Sequence, residues 1–250
     1  MGKAIMFCYQ CEQTSKGTGC STFSVCGKDE NSAVLQDLIV NAVKGISQYA
    51  HRARLLGARD RAIDVFVVES LFTTVTNVNF DSQRLAQWTT RAGQMRDGAR
   101  ELYHRACAET GETPEVFNGP CTWVPAQSFE GLVQQGKLVS VLSRIDKYGP
   151  DIAGLQELLT YGLKGTAAYA DHALILGQES DSVFAFFHEA LDFLTRPNPT
   201  VEGLFAMNMK CGEVNLKVMA LLDTANTSAY GHPTPTAVRV EPLAGKAILV

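Results

Sequence analysis

A stretch of 23 residues occurs twice in this chain, 120 positions apart. LQDLIVNAVKGISQYAHRARLLG (35–57) overlies LQELLTYGLKGTAAYADHALILG (155–177) with ten identities. The register then runs on without a gap, so that Phe66, Glu69 and Leu71 match Phe186, Glu189 and Leu191. A repeated unit must bury the apolar face it cannot cover alone, so two similar layers should pack together. In the first copy Leu35, Leu38, Ile39, Ala42, Val43, Ile46, Ala50 and Ala53 recur at helical spacing, with Ser32 as the expected N-cap and Gly57 as the stop. The next segment, 63–75, is rich enough in β-branched residues to allow a strand. Its counterpart, DSVFAFFHEALDFL, reads as a helix, so both copies are read as helices. A third helix opens at Asp81 or Ser82 and carries Leu85, Trp88, Ala92, Met95, Ala99, Leu102, Tyr103 and Ala106 on one face. In the second copy Pro150 suits a first turn, Pro197 and Pro199 interrupt the chain, and Thr200 caps a last helix through Leu222. The expected architecture is mainly α, with two repeated three-helix bundles at 32–107 and 150–225.

Two paired features inside the repeat carry chemistry. Lys44-Gly45 and Lys164-Gly165 occupy equivalent mid-helix positions, where glycine costs about 1 kcal/mol against alanine unless a close approach needs it. Helix crossing explains the glycines. The lysines read as snorkelling side chains rather than as cations beside a cofactor. Glu69 and Glu189 are also equivalent, but the Glu-x-x-His spacing of di-metal bundles is missing from both copies, so they read as helix-end or surface charges.

Ahead of the repeat lies FCYQCEQTSKGTGCSTFSVCGK (7–28), which gathers Cys8, Cys11, Cys20 and Cys26 in a C-x2-C-x8-C-x5-C pattern among small residues. Such a loop can curl so that thiolates converge and backbone N–H groups point at sulfur. Three readings compete. A disulfide framework needs an oxidising compartment, yet MGKAIMFCYQ has no apolar run suited to a signal peptide. Structural zinc favours two short knuckles, and the second pair is too widely spaced for one. An iron–sulfur cluster held by four thiolates is favoured, with the other two left open. Cys107, Cys121 and Cys211 are scattered and read as small buried hydrophobes.

The loop occupies 1–31 and an irregular connector 108–149, where FEGLVQQGKLVSVLSRIDKYG is short helix or strand. Beyond the second bundle, 226–250 reads as a linker with a turn at Tyr230-Gly231-His232-Pro233, then an apolar run at Ala247–Val250 that looks like a strand without a sheet. The chain is therefore expected to end at the first strand of a truncated α/β domain. A formal charge of −4 at pH 7 and a pI near 5.7 leave no footprint for nucleic acid, and no apolar stretch is long enough for a membrane span. The expected location is the cytoplasm.

Several separated motifs carry a family resemblance: FCYQCEQT with GTGC and VCGK, LFTTVTNVNFD (71–81), YGLKGTAAYADHA (161–173) and MALLDTANTSAYGHPTPT (219–236). From Met6 to Val250 the chain resembles the N-terminal part of the hybrid cluster proteins, also called prismane proteins and assigned as hydroxylamine reductases. The resemblance implies that Cys8, Cys11, Cys20 and Cys26 ligate a cubane, the compact spacing matching the family's [4Fe-4S] form rather than its [2Fe-2S] form. It implies two three-helix bundles, and a second, hybrid iron–sulfur–oxygen cluster whose one His, two Glu and four Cys ligands come from α/β domains beyond residue 250. His232 is not one of those ligands, and a structural use is expected of it. By the same resemblance the whole enzyme reduces hydroxylamine to ammonia and water, is linked to nitric oxide and nitrosative stress, and receives electrons from a ferredoxin-like protein or reductase. No catalytic residue is expected in this stretch, which alone should be inactive as a reductase. A stand-alone electron-transfer or redox-sensing module is the alternative.

Overall fold

A computed structural model describes residues 6–11, 17–76 and 78–237 of the chain. It contains helices α1 (Glu30–Leu55), α2 (Arg61–Thr73), α3 (Ser82–Thr110), α4 (Phe129–Leu138), α5 (Val141–Tyr148), α6 (Pro150–Ile175), α7 (Asp181–Phe193) and α8 (Val201–Tyr230), with a 3-10 turn at Pro120–Thr122. Among the described residues there is no strand, only an isolated antiparallel bridge between Cys8 and Cys20. The mainly α expectation is met. The apolar run at 247–250 lies outside the described residues.

Local chemistry accounts for the helix ends. Asp81 accepts from the N–H groups of Gln83 and Arg84, and Thr200 accepts from Gly203, so both expected N-caps are present. The start of α1 is a correction. Asp29, not Ser32, is the N-cap, because its carboxylate accepts the Ser32 N–H at 2.6 Å. Ser32 is buried inside the first turn and its Oγ donates to the Phe80 carbonyl. Gly57 and Gly177 close α1 and α6 alike. Each has positive φ, and in each case the following N–H reaches back five residues, Ala58 to Ala53 and Gln178 to Ala173. Two further corrections concern the irregular parts. The connector segment left as helix or strand is helical, forming α4 and α5, and α8 runs to Tyr230, into the region expected to be linker.

Helix α1 is the central element, buried along most of its length from Ser32 to Ala53. A helix covered on every side must satisfy its polar groups from its neighbours. Gln36 donates to the Asn79 carbonyl, Gln48 donates to the Asn118 carbonyl and accepts from the Cys121 N–H, and Ser47 meets His188. The glycines do the rest. A Cβ on Gly45 would stand 2.4 Å from the Pro120 carbonyl oxygen, and one on Gly136 of α4 would stand 2.3 Å from that of Val34. The glycine of the first repeat thus admits a turn rather than a crossing helix. Its counterpart Gly165 has open space around the missing Cβ.

The long helices pair as the repeat predicts, α1 with α3 and α6 with α8. The short middle helices are exchanged. Helix α7 packs chiefly on α1, and α2 chiefly on α6, so each short helix serves the other repeat's long ones. Polar links follow the exchange. His188 on α7 lies 3.0 Å from Ser47 Oγ and 2.8 Å from Asp64 Oδ1, Arg52 reaches Asp192 at 2.9 Å, and Arg54 bridges Asp64 and Asp181. Burial keeps the His188 imidazole below its ordinary pKa. Burial pushes the Asp64 carboxyl up, but the His188 and Arg54 bonds outweigh it and hold it low. Ser47, His188 and Asp64 have the composition of a hydrolytic triad, yet all three are buried in the packing of α1, α2 and α7 and serve as a tie between them.

The paired lysines do not snorkel. Lys44 is 6% exposed and Lys164 5%. Lys44 shares its surroundings with Arg144, Glu157, Asp37 and Lys164, and burial pulls its amine down to about 7. Glu69 is partly buried and its carboxyl is pushed up by burial, while Glu189 pairs with Lys210 at 2.6 Å near the surface.

Two predictions result. Gly45→Ala should destabilise the fold by about 1–3 kcal/mol through overpacking, whereas Gly165→Ala should be neutral or stabilising by up to about 1 kcal/mol. Urea unfolding of the two variants compares equivalent repeat positions with opposite expected signs. For Lys44, the folded amine sits below its unfolded value. Between pH 7 and the unfolded pKa the unfolded chain therefore binds a proton that the folded chain does not, and stability rises with pH. Lys44→Met should be more stable at pH 7 and should lose about 1–2 kcal/mol of the rise seen between pH 7 and 8.5. Chemical denaturation at both pH values measures it.

Candidate metal centre

The cysteine loop is seated on the N-terminal end of α1. Met6, Cys8 and Cys20 pack with Ala33 of its first turn, and the Cys8–Cys20 bridge is closed by two backbone hydrogen bonds of 3.0 and 2.9 Å. Left-handed glycines at 17 and 19 turn the chain between Cys11 and Cys20, and another at 27 turns it just after Cys26. Gly19 is needed twice over, because a Cβ there would also meet the Phe7 ring at 2.8 Å. Helix α6 reaches the loop as well, through the Tyr161 hydroxyl, which donates to the Tyr9 carbonyl. Burial, then the nearby Glu157 carboxylate, raises the pKa of that phenol.

All four loop cysteines border one pocket, together with Gln10, Ser24, Val25, Lys28 and Thr76. Cys8 and Cys20 are buried, and Cys11 and Cys26 are partly exposed. All seven cysteines of the chain are free thiols, so a disulfide framework is not what this structure contains. Among the described residues no group of three or more Cys, His, Asp or Glu side chains is drawn close enough to form a finished metal site. The loop brings the four thiols to a common pocket without closing them round a point. Cys107, Cys121 and Cys211 lie elsewhere, buried as small apolar side chains. His232 is exposed.

The wall of the pocket bears on what it suits. Lys28 is 3% exposed, and its ammonium donates to Gln10 Oε1 at 2.7 Å and to Gln36 Oε1, both neutral acceptors. Gln10 in turn donates to the Ala33 carbonyl and to Asp37 Oδ1, each at 2.7 Å. Among the described residues no carboxylate forms an ion pair with Lys28. A buried cation without a counter-ion is costly, and a pocket of four sulfur donors beside it suits an anionic thiolate centre. Burial pushes the Cys8 thiol up to about 11 against the pull of Lys28, so without a bound cation that sulfur keeps its proton at neutral pH. Lys28, Gln10, Gln36, Thr76 and Tyr161 received no role from the sequence. The signal was present for two of them, since Gln10 sits inside the C-x2-C and Lys28 two residues after Cys26.

Comparison with known proteins agrees with the motifs. A chain from Rhodospirillum rubrum named hydroxylamine reductase is 50% identical over 245 residues, 98% of this chain and 45% of its own length. Proteins of the same name from Acidithiobacillus ferrooxidans and Geobacter sulfurreducens are each 45% identical, over 98% of this chain and 45% and 44% of their lengths. The chain thus spans a little under half the length of the curated relatives it matches. No helix of the described residues is long and apolar enough to cross a membrane. A family model described as the Prismane/CO dehydrogenase family matches residues 6–250, and with the relatives and the cysteine loop it leads to one conclusion: the chain belongs to that family.

Proposed function

We propose that this chain is the electron-relay region of a hydroxylamine reductase and that Cys8, Cys11, Cys20 and Cys26 hold a [4Fe-4S] cluster. The observation that carries the reading is the single pocket bordered by all four cysteines and by a buried lysine that no described carboxylate neutralises. When bound, such a cluster supplies reversible one-electron chemistry whose potential depends on charge, hydrogen bonds and exposure. The chain's own residues divide the work around it. The Cys8–Cys20 bridge holds two ligands on a rigid, buried frame. Cys11 and Cys26, partly exposed, leave that side of the loop open to an electron-donor protein, ferredoxin-like or a reductase. Gln10, fixed by Lys28 and Asp37, sets the path of the chain between Cys8 and Cys11. The helices are scaffold, and Tyr161 ties the loop to the second repeat.

In the whole protein, electrons pass on to a site where hydroxylamine takes up two electrons and two protons to give ammonia and water, in a cytoplasmic response to nitrosative stress. The relatives bear the name of that activity over lengths about twice that of this chain. By resemblance the hybrid cluster that performs the reduction draws its ligands from residues beyond 250, so this stretch alone conducts rather than catalyses.

Anaerobic reconstitution should load four irons and four sulfides per chain. Cys20→Ser should lose them while Cys107→Ser keeps them, by iron and sulfide analysis; stoichiometric zinc without iron would overturn the reading. Assayed with an artificial electron donor, the 250-residue chain should be reduced and reoxidised but should not turn over hydroxylamine. Turnover in this chain would show that the reductive site lies within it.

A further inference from the structure

The interior beneath the cysteine loop holds more positive charge than negative. Among the described residues Lys28, Lys44, Lys164 and Arg144 stand there with two carboxylates, Asp37 and Glu157, and burial draws the Lys44 and Lys164 amines below their ordinary pKa. Glu157 is taken by Arg144, and Asp37 accepts from the amide of Gln10 rather than from a lysine. Burial pushes the Asp37 carboxyl up, which weakens it further as a counter-ion. Lys28 is left with two neutral glutamine acceptors and the Phe80 ring 5.8 Å away. Lys164 is left with one long bond of 3.4 Å to the Thr74 carbonyl, two residues before Thr76 in the pocket wall. Both lysines favour the Cys8 thiolate, Lys28 more than Lys164, with Asp37 acting against them. Neither has a carboxylate partner among the described residues, and both are at least nineteen-twentieths buried.

Charge buried in a low-dielectric interior seeks a partner of opposite sign, and interaction at a few ångströms there is far stronger than in water. Among the described residues, apart from Asp37, the potential anions near these lysines that lack a cation of their own are the thiols lining the pocket. A centre of four thiolates gains a further negative charge when it is reduced. Fixed positive charge beside it therefore favours the reduced form.

We propose that Lys28 and Lys164 are positioning residues that together form the counter-charge of the thiolate pocket and raise the reduction potential of the centre it holds. The proposal rests on the reading that the four cysteines bind an iron–sulfur cluster. Burial draws the Lys164 amine down and the negative groups around it, Cys8 among them, oppose that, so the lysine acts as counter-charge when the pocket is anionic. That role also gives the lysine of the second repeat a use. Lys164 lies behind the pocket wall because α6 receives α2, whose C-cap Thr74 accepts from it two residues before Thr76.

The test is a redox titration of the reconstituted chain, followed by visible absorbance and electron paramagnetic resonance, on wild type, Lys28→Gln, Lys164→Met, and the charge-keeping Lys28→Arg and Lys164→Arg. Each neutral variant should hold four irons and shift the ratio of reduced to oxidised cluster at a fixed potential about tenfold toward oxidised, a 59 mV fall for one electron. The arginine variants should stay near wild type. Neutral variants that load fully at the wild-type potential would overturn the proposal. If the neutral variants lose iron, retention by the arginine variants supports the need for charge, and loss in the arginine variants as well assigns the lysines to packing and overturns it. Absence of iron from the wild type would instead sink the cluster reading on which the proposal stands.

Discussion

A helix enclosed on every side is stable only if most of the polar groups it carries find partners on the elements around it. Helix α1 is in that position, and its polar residues mark where its neighbours dock. Ser32 and Gln36 fix the segment before α3, Gln48 fixes the connector turn at Pro120, and Ser47 fixes α7 through His188. Each bond is worth about 1 kcal/mol net, but an unmade one would leave a buried group unsatisfied at a cost of about 1–3 kcal/mol. Polar satisfaction therefore selects this arrangement over others that would bury similar apolar area. The glycines at 45 and 136 act in the same sense, by admitting backbone where any side chain would hold it off.

The exchange of short helices follows from the same constraint and bears on function. With α7 on α1, α2 on α6 and α5 against α6, charges carried by the long helices lie in the interior. Lys44, Lys164, Glu157 and Asp37 are brought into one region under the cysteine loop. Loop and helices are then joined through Gln10, Lys28, Gln36 and Tyr161. The pocket lies at the junction of both repeats, so its electrostatics belong to the whole assembly rather than to the loop. Burial on such a scale also explains why the three remaining cysteines are inert packing groups.

Local pattern is a sufficient guide where local physics decides. Gly57 and Gly177 stop their helices with positive φ, Asp81 and Thr200 cap theirs, and Pro150 begins α6. Where two groups competed for one role, pattern was insufficient. Ser32 and Asp29 are both good caps, and the choice fell to Asp29 because Ser32 is needed by the Phe80 carbonyl. The stretch after Leu222, polar and followed by prolines, remains helical to Tyr230 because nothing before Gly231 breaks it.

From the sequence alone came the helical class, the repeat, the glycine stops of α1 and α6, the family and the four cysteines, since these depend on spacing and on chemistry that neighbouring residues display. Tertiary structure alone decided that the short helices change partners, that the repeat lysines are buried, and that Lys28 faces the cysteine pocket without a described counter-ion. The reason is that burial is a property of what lies opposite. A lysine on a helix reads the same whether its far end meets water or another helix, and only the packing of distant segments settles which.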